Sequence, residues 1–252
     1  MKKIISIVIL AVMLLSVSGI AVFAAAAQTP SVTITVSDGK EIVVANEKVA
    51  VEDGKTDTLG GLFKVINEKY GKKFETAQTE YGESITCFWG IENGGSYGYY
   101  INDQMAMGLA DKVKAGDRVY AFVFSDTTGW SDTYSYFDLK EVTVKKGEAV
   151  TLTLSHLGFD ESWNTVVLPV EKANVTLDGV AVNAQTDAAG KITFTPAKSG
   201  LVTATSDTLT LVPPICVVTV EAPFPTAGVI IAVCIAVVVV AAVVIVIVKK
   251  KK

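Results

Sequence analysis

The sequence predicts an α+β domain, then an all-β sandwich, then a carboxy-terminal transmembrane helix. Three observations predict this. A single stretch of helical period, residues 59–70, stands among strand-like runs in the first half. From Phe137 onward there is only two-residue alternation between turn residues. Near the end, residues 229–248 are 20 uninterrupted apolar residues, enough at ~1.5 Å each to cross ~30 Å of hydrocarbon.

The elements follow in chain order. Met1-Lys2-Lys3, an apolar run and a string of alanines make a secretory leader, residues 1–27, cleaved between Ala24 and Ala27; no cysteine there suggests a lipid anchor. Residues 28–126 form the first domain. Val32, Ile34 and Val36 alternate with threonines, Ser37-Asp38-Gly39-Lys40 turns, and Ile42-Val43-Val44 resumes: a β-hairpin. Leu59, Leu62, Phe63, Ile66 and Tyr70 then fall on one helix stripe. Asp57 or Thr58 caps its start and Gly71 ends it. Gly60 and Gly61 each cost about 1 kcal/mol relative to alanine, so packing must hold this helix. Further strands are expected at 84–91, 97–102 and 118–125. A sheet covered by one helix is compatible with a β-grasp.

Residues 127–138 carry Trp130, Tyr134, Tyr136 and Phe137. They are expected as an inter-domain linker packed on its neighbours, with Trp130 at the junction, since a flexible linker would be poorer in rings. Residues 139–221 alternate in short runs between Gly, Asp, Asn and Pro turns, the pattern of an immunoglobulin-type (Ig-like) sandwich. A neck, 222–228, leads to the span at 229–248 and to the tail Lys249 to Lys252, which belongs on the cytoplasmic side. The expected location is the cell membrane, single-pass, with the ectodomain outside. Leader, ectodomain, span and basic tail resemble sortase-anchored surface proteins of Gram-positive bacteria. Phe224-Pro225-Thr226-Ala227-Gly228 stands where that group has Leu-Pro-x-Thr-Gly, so the span is expected to be kept.

Charge and cysteine usage exclude some functions. Outside leader and tail there are 16 Lys and Arg against 26 Asp and Glu, a balance of −10 that repels nucleic acid and anionic membrane. Cys87 and Cys216, in different domains, make no disulfide framework and read as buried thiols, with one long-range bridge left open. With His156 alone, neither a zinc site nor a Ser-His-Asp triad can be assembled. Asp126, Asp132 and Asp138 leave a carboxylate-dependent glycan hydrolase as the least favoured reading, so no enzyme is expected.

The candidate binding residues are aromatic. Tyr97, Tyr99 and Ile101 share one strand face, and Gly98, Tyr100 and Asn102 the other. Gly98 leaves room for a ring or ligand at the backbone, while Met105 and Met107 suit an adaptable surface. Tyr120, Phe122 and Phe124 alternate with Val119, Ala121 and Val123. If the aliphatics meet the helix, three rings worth ~150 to 250 Å² each need another cover: a ligand, the second domain or a partner. The reverse register would put the rings in the core, and the sequence leaves that choice open. Trp130 completes the set.

Residues 56–125 resemble the transcobalamin-like carboxy-terminal domain. The resemblance rests on the helix Leu59 to Tyr70, Gly82-Glu83-Ser84-Ile85-Thr86-Cys87-Phe88, Tyr97-Gly98-Tyr99-Tyr100-Ile101-Asn102, Gly108-Leu109-Ala110-Asp111 and Gly116-Asp117-Arg118-Val119. Tyr97 and Asp103 stand where that family has Trp and Gly. The resemblance implies a β-grasp and a corrinoid, cobalamin-like ligand, although nothing here could form the helical barrel that shares the corrinoid in B12 carriers. Residues 186–194, with Ser199-Gly200-Leu201, resemble bacterial Ig-like domains. The expected function is non-catalytic binding, without a cofactor, of a small flat ligand or a surface protein by the first domain. The alternative is a structural or adhesive module with no small ligand.

Overall fold

The computed structural model describes residues 29–162 and 164–222. The expected leader at 1–27, the neck beyond residue 222, the span at 229–248 and the tail at 249–252 lie outside the described residues.

The first unit begins with β1 (Ser31–Ser37) and β2 (Ile42–Ala50), the expected hairpin. At its turn Asp38 Oδ1 accepts from the Lys40 and Glu41 N–H groups, both at 3.0 Å, and Gly39 takes φ +92°, where a side chain would be strained. Helix α1 (Leu59–Lys69) follows, with Thr58 accepting from the Gly61 N–H at 3.2 Å as its cap. The costly glycine pair has a steric reason. A Cβ on Gly61 would sit 2.0 Å from the Lys55 carbonyl oxygen, and one on Gly60 3.3 Å from Leu109 Cβ. Close approach lets the Leu59 and Gly60 N–H groups donate to Asp111 and Leu109 carbonyls, satisfying donors that a helix start leaves orphaned.

Strands β3 (Glu75–Thr79) and β4 (Gly82–Cys87) pair only with each other. Next come β5 (Tyr97–Ile101), β6 (Gln104–Met105) and β7 (Arg118–Val123). The main sheet runs β2-β1-β7-β5-β6, with β1 and β7 parallel. Val119, Ala121 and Val123 join Leu59, Leu62, Phe63 and Ile66 of the helix in one core. The register left open by the sequence is therefore the one that points Tyr120 and Phe122 away from the helix.

In the second unit, residues 132–137, expected as linker, are instead strand β8 (Asp132–Phe137). The reason is its own alternation: Phe137 enters the sandwich core, while Tyr134 and Tyr136 point toward the first unit. It is followed by β9 (Glu141–Lys145), β10 (Val150–Phe159), β11 (Thr165–Pro169), β12 (Asn174–Leu177), β13 (Val180–Gln185), β14 (Lys191–Phe194), β15 (Gly200–Thr205), β16 (Thr210–Val212) and β17 (Cys216–Glu221). One sheet is β11-β10-β8-β16 with β14 also on β10; the other is β13-β12-β15-β17-β9. Leu152, Leu154 and Ile192 of the first meet Val175, Val202 and Val218 of the second in a shared core.

The predicted fold class is corrected as follows. The described chain is dominated by β-sheet, its one helix has 11 residues, and among the described residues no helix is long and apolar enough to cross a membrane. Strands β3, β6 and β8 take up residues read as loop or linker, which adds to the sheet content of the described chain. Cys87 and Cys216 are both buried and free, so the bridge left open is not made. Burial pushes the Cys216 thiol up to about 12.

Candidate functional site

The two faces of the first sheet have different fates. On the face away from the helix, Tyr100 lies flat on Tyr134 of β8, ring centroids 3.7 Å apart and planes 6° from parallel. Tyr120 meets the same ring edge-on at 5.5 Å. Phe122 and Val212 close this cluster, with Phe124, Tyr136 and Leu157 at its margin. Gly98 faces the Phe122 ring, whose nearest atom would be 2.2 Å from an added Cβ. The backbone approach that the glycine suggests is therefore made by a ring of the protein itself.

Polar groups frame these rings. Tyr120 donates its hydroxyl to the Pro213 carbonyl at 2.5 Å, and Tyr134 donates to Asp103 Oδ1 at 2.8 Å. Lys140 Nζ is 2.9 Å from Asp103 Oδ2 and 4.3 Å from the Tyr136 ring centre. Arg118 pairs with Glu141 at 3.1 Å, and Asn46 Nδ2 donates to the Lys140 carbonyl at 3.2 Å. Burial holds the Tyr120 and Tyr134 phenols well above their ordinary range and pulls the Lys140 ammonium down, the latter opposed by Asp103. Of the predicted binding residues, Tyr100, Tyr120 and Phe122 are thus corrected to a joint between the two units. Three rings are removed from water there, which stabilises the joint by several kcal/mol at ~25 cal/mol per Å².

The helix-side face is partly open. Tyr97 and Tyr99 are half-buried, edge-on to Phe88 and Phe63 at 6.2 and 5.8 Å. The Tyr97 hydroxyl is anchored by the Thr86 and Ile91 carbonyls at 3.0 and 2.8 Å. Together with Ser84, Ile85, Thr86 and the Gly94–Gly95 turn they line a slot of about 460 Å³. A larger groove, about 770 Å³, lies between α1 and the β3–β4 hairpin. Its charges partly cancel, since Lys73 pairs with Glu75 at 2.9 Å and with Glu92 at 2.8 Å.

The remaining predicted residues are scattered. Asn102 and Asp103 take φ +51° and +62° in the β5–β6 turn, and Asn102 Nδ2 donates to Asp117 at 2.9 Å. Met105 and Met107 are exposed and line neither the slot nor the larger groove. Phe124 packs at the joint margin. Trp130 is 64 % exposed rather than buried at the junction. Its indole N–H donates to Ser96 Oγ at 3.2 Å, beside the Gly94–Gly95 turn. Its loop is fixed by Asp126, which accepts from the Thr128 and Gly129 N–H groups at 3.0 and 2.8 Å and from Ser131 Oγ at 2.8 Å. These bonds pull the Asp126 carboxyl down to about 2.

The acids considered for hydrolysis are engaged with the backbone. Asp132 accepts from the Ser125 and Asp126 N–H groups, and Asp138 from those of Leu139 and Thr153. His156 Nδ1 lies 3.3 Å from the Leu157 carbonyl oxygen. Among the described residues no group of three His, Cys, Asp or Glu side chains could hold a metal ion. A scan against protein-family models and a search of curated proteins each found no match.

Proposed function

We propose that the chain is a non-catalytic, exported surface module in which the second unit is a stiff spacer and the first is a binding head. The observation that carries this reading is the stacking of Tyr100 on Tyr134 within a ring cluster drawn from both units. It uses up one sheet face as a joint and leaves the helix-side slot of Tyr97 and Tyr99 as the face on which a small ligand or surface protein can be met. Acids bound to backbone N–H groups are poorly placed for proton transfer, which favours binding over catalysis. An adhesive or spacer module with no small ligand is the second reading. It gains from the same cluster, because the rings expected to meet a flat corrinoid meet Tyr134 and Val212 instead.

Calorimetry of the full chain tests the head-and-spacer reading. The joint couples the units, so the parent melts in one transition and Tyr134→Ala splits it in two. If Tyr134→Ala melts in one transition at an unchanged temperature, the joint does not couple the units and the reading fails.

A further inference from the structure

We infer that the slot beside Tyr97 and Tyr99 takes a neutral oligosaccharide. The inference rests on the reading of the first unit as the binding head. In a chain with 22 basic and 26 acidic residues, no charged side chain lines this slot. An anionic or cationic ligand would therefore find no counter-charge there. What lines it is hydroxyl and ring. Thr79, Ser84 and Thr86 reach it from the β3–β4 hairpin, and the tyrosines from β5. Among the described residues the hydroxyls of Thr86 and Tyr99 make no side-chain hydrogen bond. That of Ser84 stands 3.4 Å from Thr79 Oγ1, which itself donates to the Gly82 carbonyl at 2.9 Å and accepts from the Tyr81 N–H at 3.2 Å.

Hydroxyls both donate and accept, as the hydroxyls of a sugar do, so each can meet the other without a fixed polarity. A pyranose also presents a flat C–H face, which suits the exposed part of a tyrosine ring. Gly94 and Gly95, at φ +73° and +87°, leave the slot rim without side chains, so a ligand can approach the backbone there closely, although the Gly95 carbonyl already accepts from the Tyr97 N–H at 3.2 Å.

The length of the ligand is argued from Trp130. Its indole is exposed and is held by the Asp126-braced loop and by the bond to Ser96, the residue next in the chain to the Gly94–Gly95 pair that lines the slot. An exposed indole fixed beside the glycine rim, in addition to the rings within the slot, suits a chain of several sugars better than one.

Isothermal titration of the full chain with β-linked glucose, β-linked N-acetylglucosamine and α-linked mannose, as single sugars and as short oligomers, tests this. Saturable binding of at least one oligomer is expected, weakened about tenfold or more by Tyr99→Ala. Trp130→Ala, at an exposed position that leaves the fold intact, weakens oligomers and not single sugars. No binding by any of these probes, or binding that both substitutions leave unchanged, overturns the inference. So does selection of an extended peptide from a random phage library that Tyr99→Ala abolishes and the sugars do not displace. None of these outcomes involves Tyr134, so the head-and-spacer reading is judged separately.

Discussion

Tyr120 of the first unit donates its hydroxyl to the carbonyl of Pro213 in the second, at 2.5 Å, from a position that is 8 % exposed. Removing the hydroxyl leaves a partly buried carbonyl without its partner. Tyr120→Phe is therefore expected to cost about 1–3 kcal/mol, read as a lower urea midpoint with an unchanged slope. An unaltered midpoint would mean that the carbonyl is hydrated in solution.

The same joint responds to alkali. Burial raises the Tyr120 and Tyr134 phenols, so the folded chain keeps protons that the unfolded chain loses above a pH of about 10. Stability from these groups is full below that pH and falls as pH rises through it. The measurement is phenolate absorbance against pH. Two tyrosines should ionise only together with loss of near-ultraviolet circular dichroism.

Gly98→Ala tests how closely the sheet is approached. The Phe122 ring already occupies the place of the new methyl group. Displacing it is expected to destabilise by about 1–3 kcal/mol through overpacking. Gly98→Ala with Phe122→Leu should recover part of that loss in thermal melts. An equally stable single variant would show that the ring has room to turn.

Lys140 and Asp103 form an ion pair whose side chains are 18 % and 25 % exposed. Lys140→Ala leaves the partly buried Asp103 carboxylate with Tyr134 as its remaining side-chain partner and is expected to cost about 1–3 kcal/mol. Adding Asp103→Asn should return much of it, read as the coupling in a double-mutant cycle. Additive losses would mean that the two act independently.

The Trp130 loop should loosen in acid. Its brace, Asp126, is lowered from 3.8 to about 2 by N–H and hydroxyl donors. The loop's order is complete above about pH 4 and is lost as pH falls through about 2. The Trp130 indole N–H signal in nuclear magnetic resonance should shift in that window, and Asp126→Asn should abolish the shift.

The first hairpin and the helix were legible in the sequence because their periods differ and their caps are written in residue types. Residues 97–101 and 118–123 were legible as strands for the same reason. Which way Tyr120 and Phe122 point was not, because alternation defines two sets of side chains without saying which meets the helix. Strand β8 favours extended structure through its Thr and Tyr residues, but it was hidden because it follows directly on the turn residues Asp126 to Ser131 and its inward positions include polar Thr133 and Ser135. Strand β3 was hidden because all but one of its residues is exposed and no apolar alternation marks it. Of the slot, Tyr97 and Tyr99 were readable and Ser84, Thr86, Gly94 and Gly95 were not. Those four reach it through a hairpin and a turn whose placement depends on long-range packing.

In each unit an early strand lies parallel to a late one: β1 beside β7, and β9 beside β17, each over five paired residues. Traction applied where the chain enters β1 and where it leaves β7 would draw these neighbours in opposite directions along their length. All the bonds of the pair would then be loaded in shear at once instead of being peeled one by one, and the same holds for β9 and β17. Such a chain should resist being stretched end to end far more than its equilibrium stability alone would suggest.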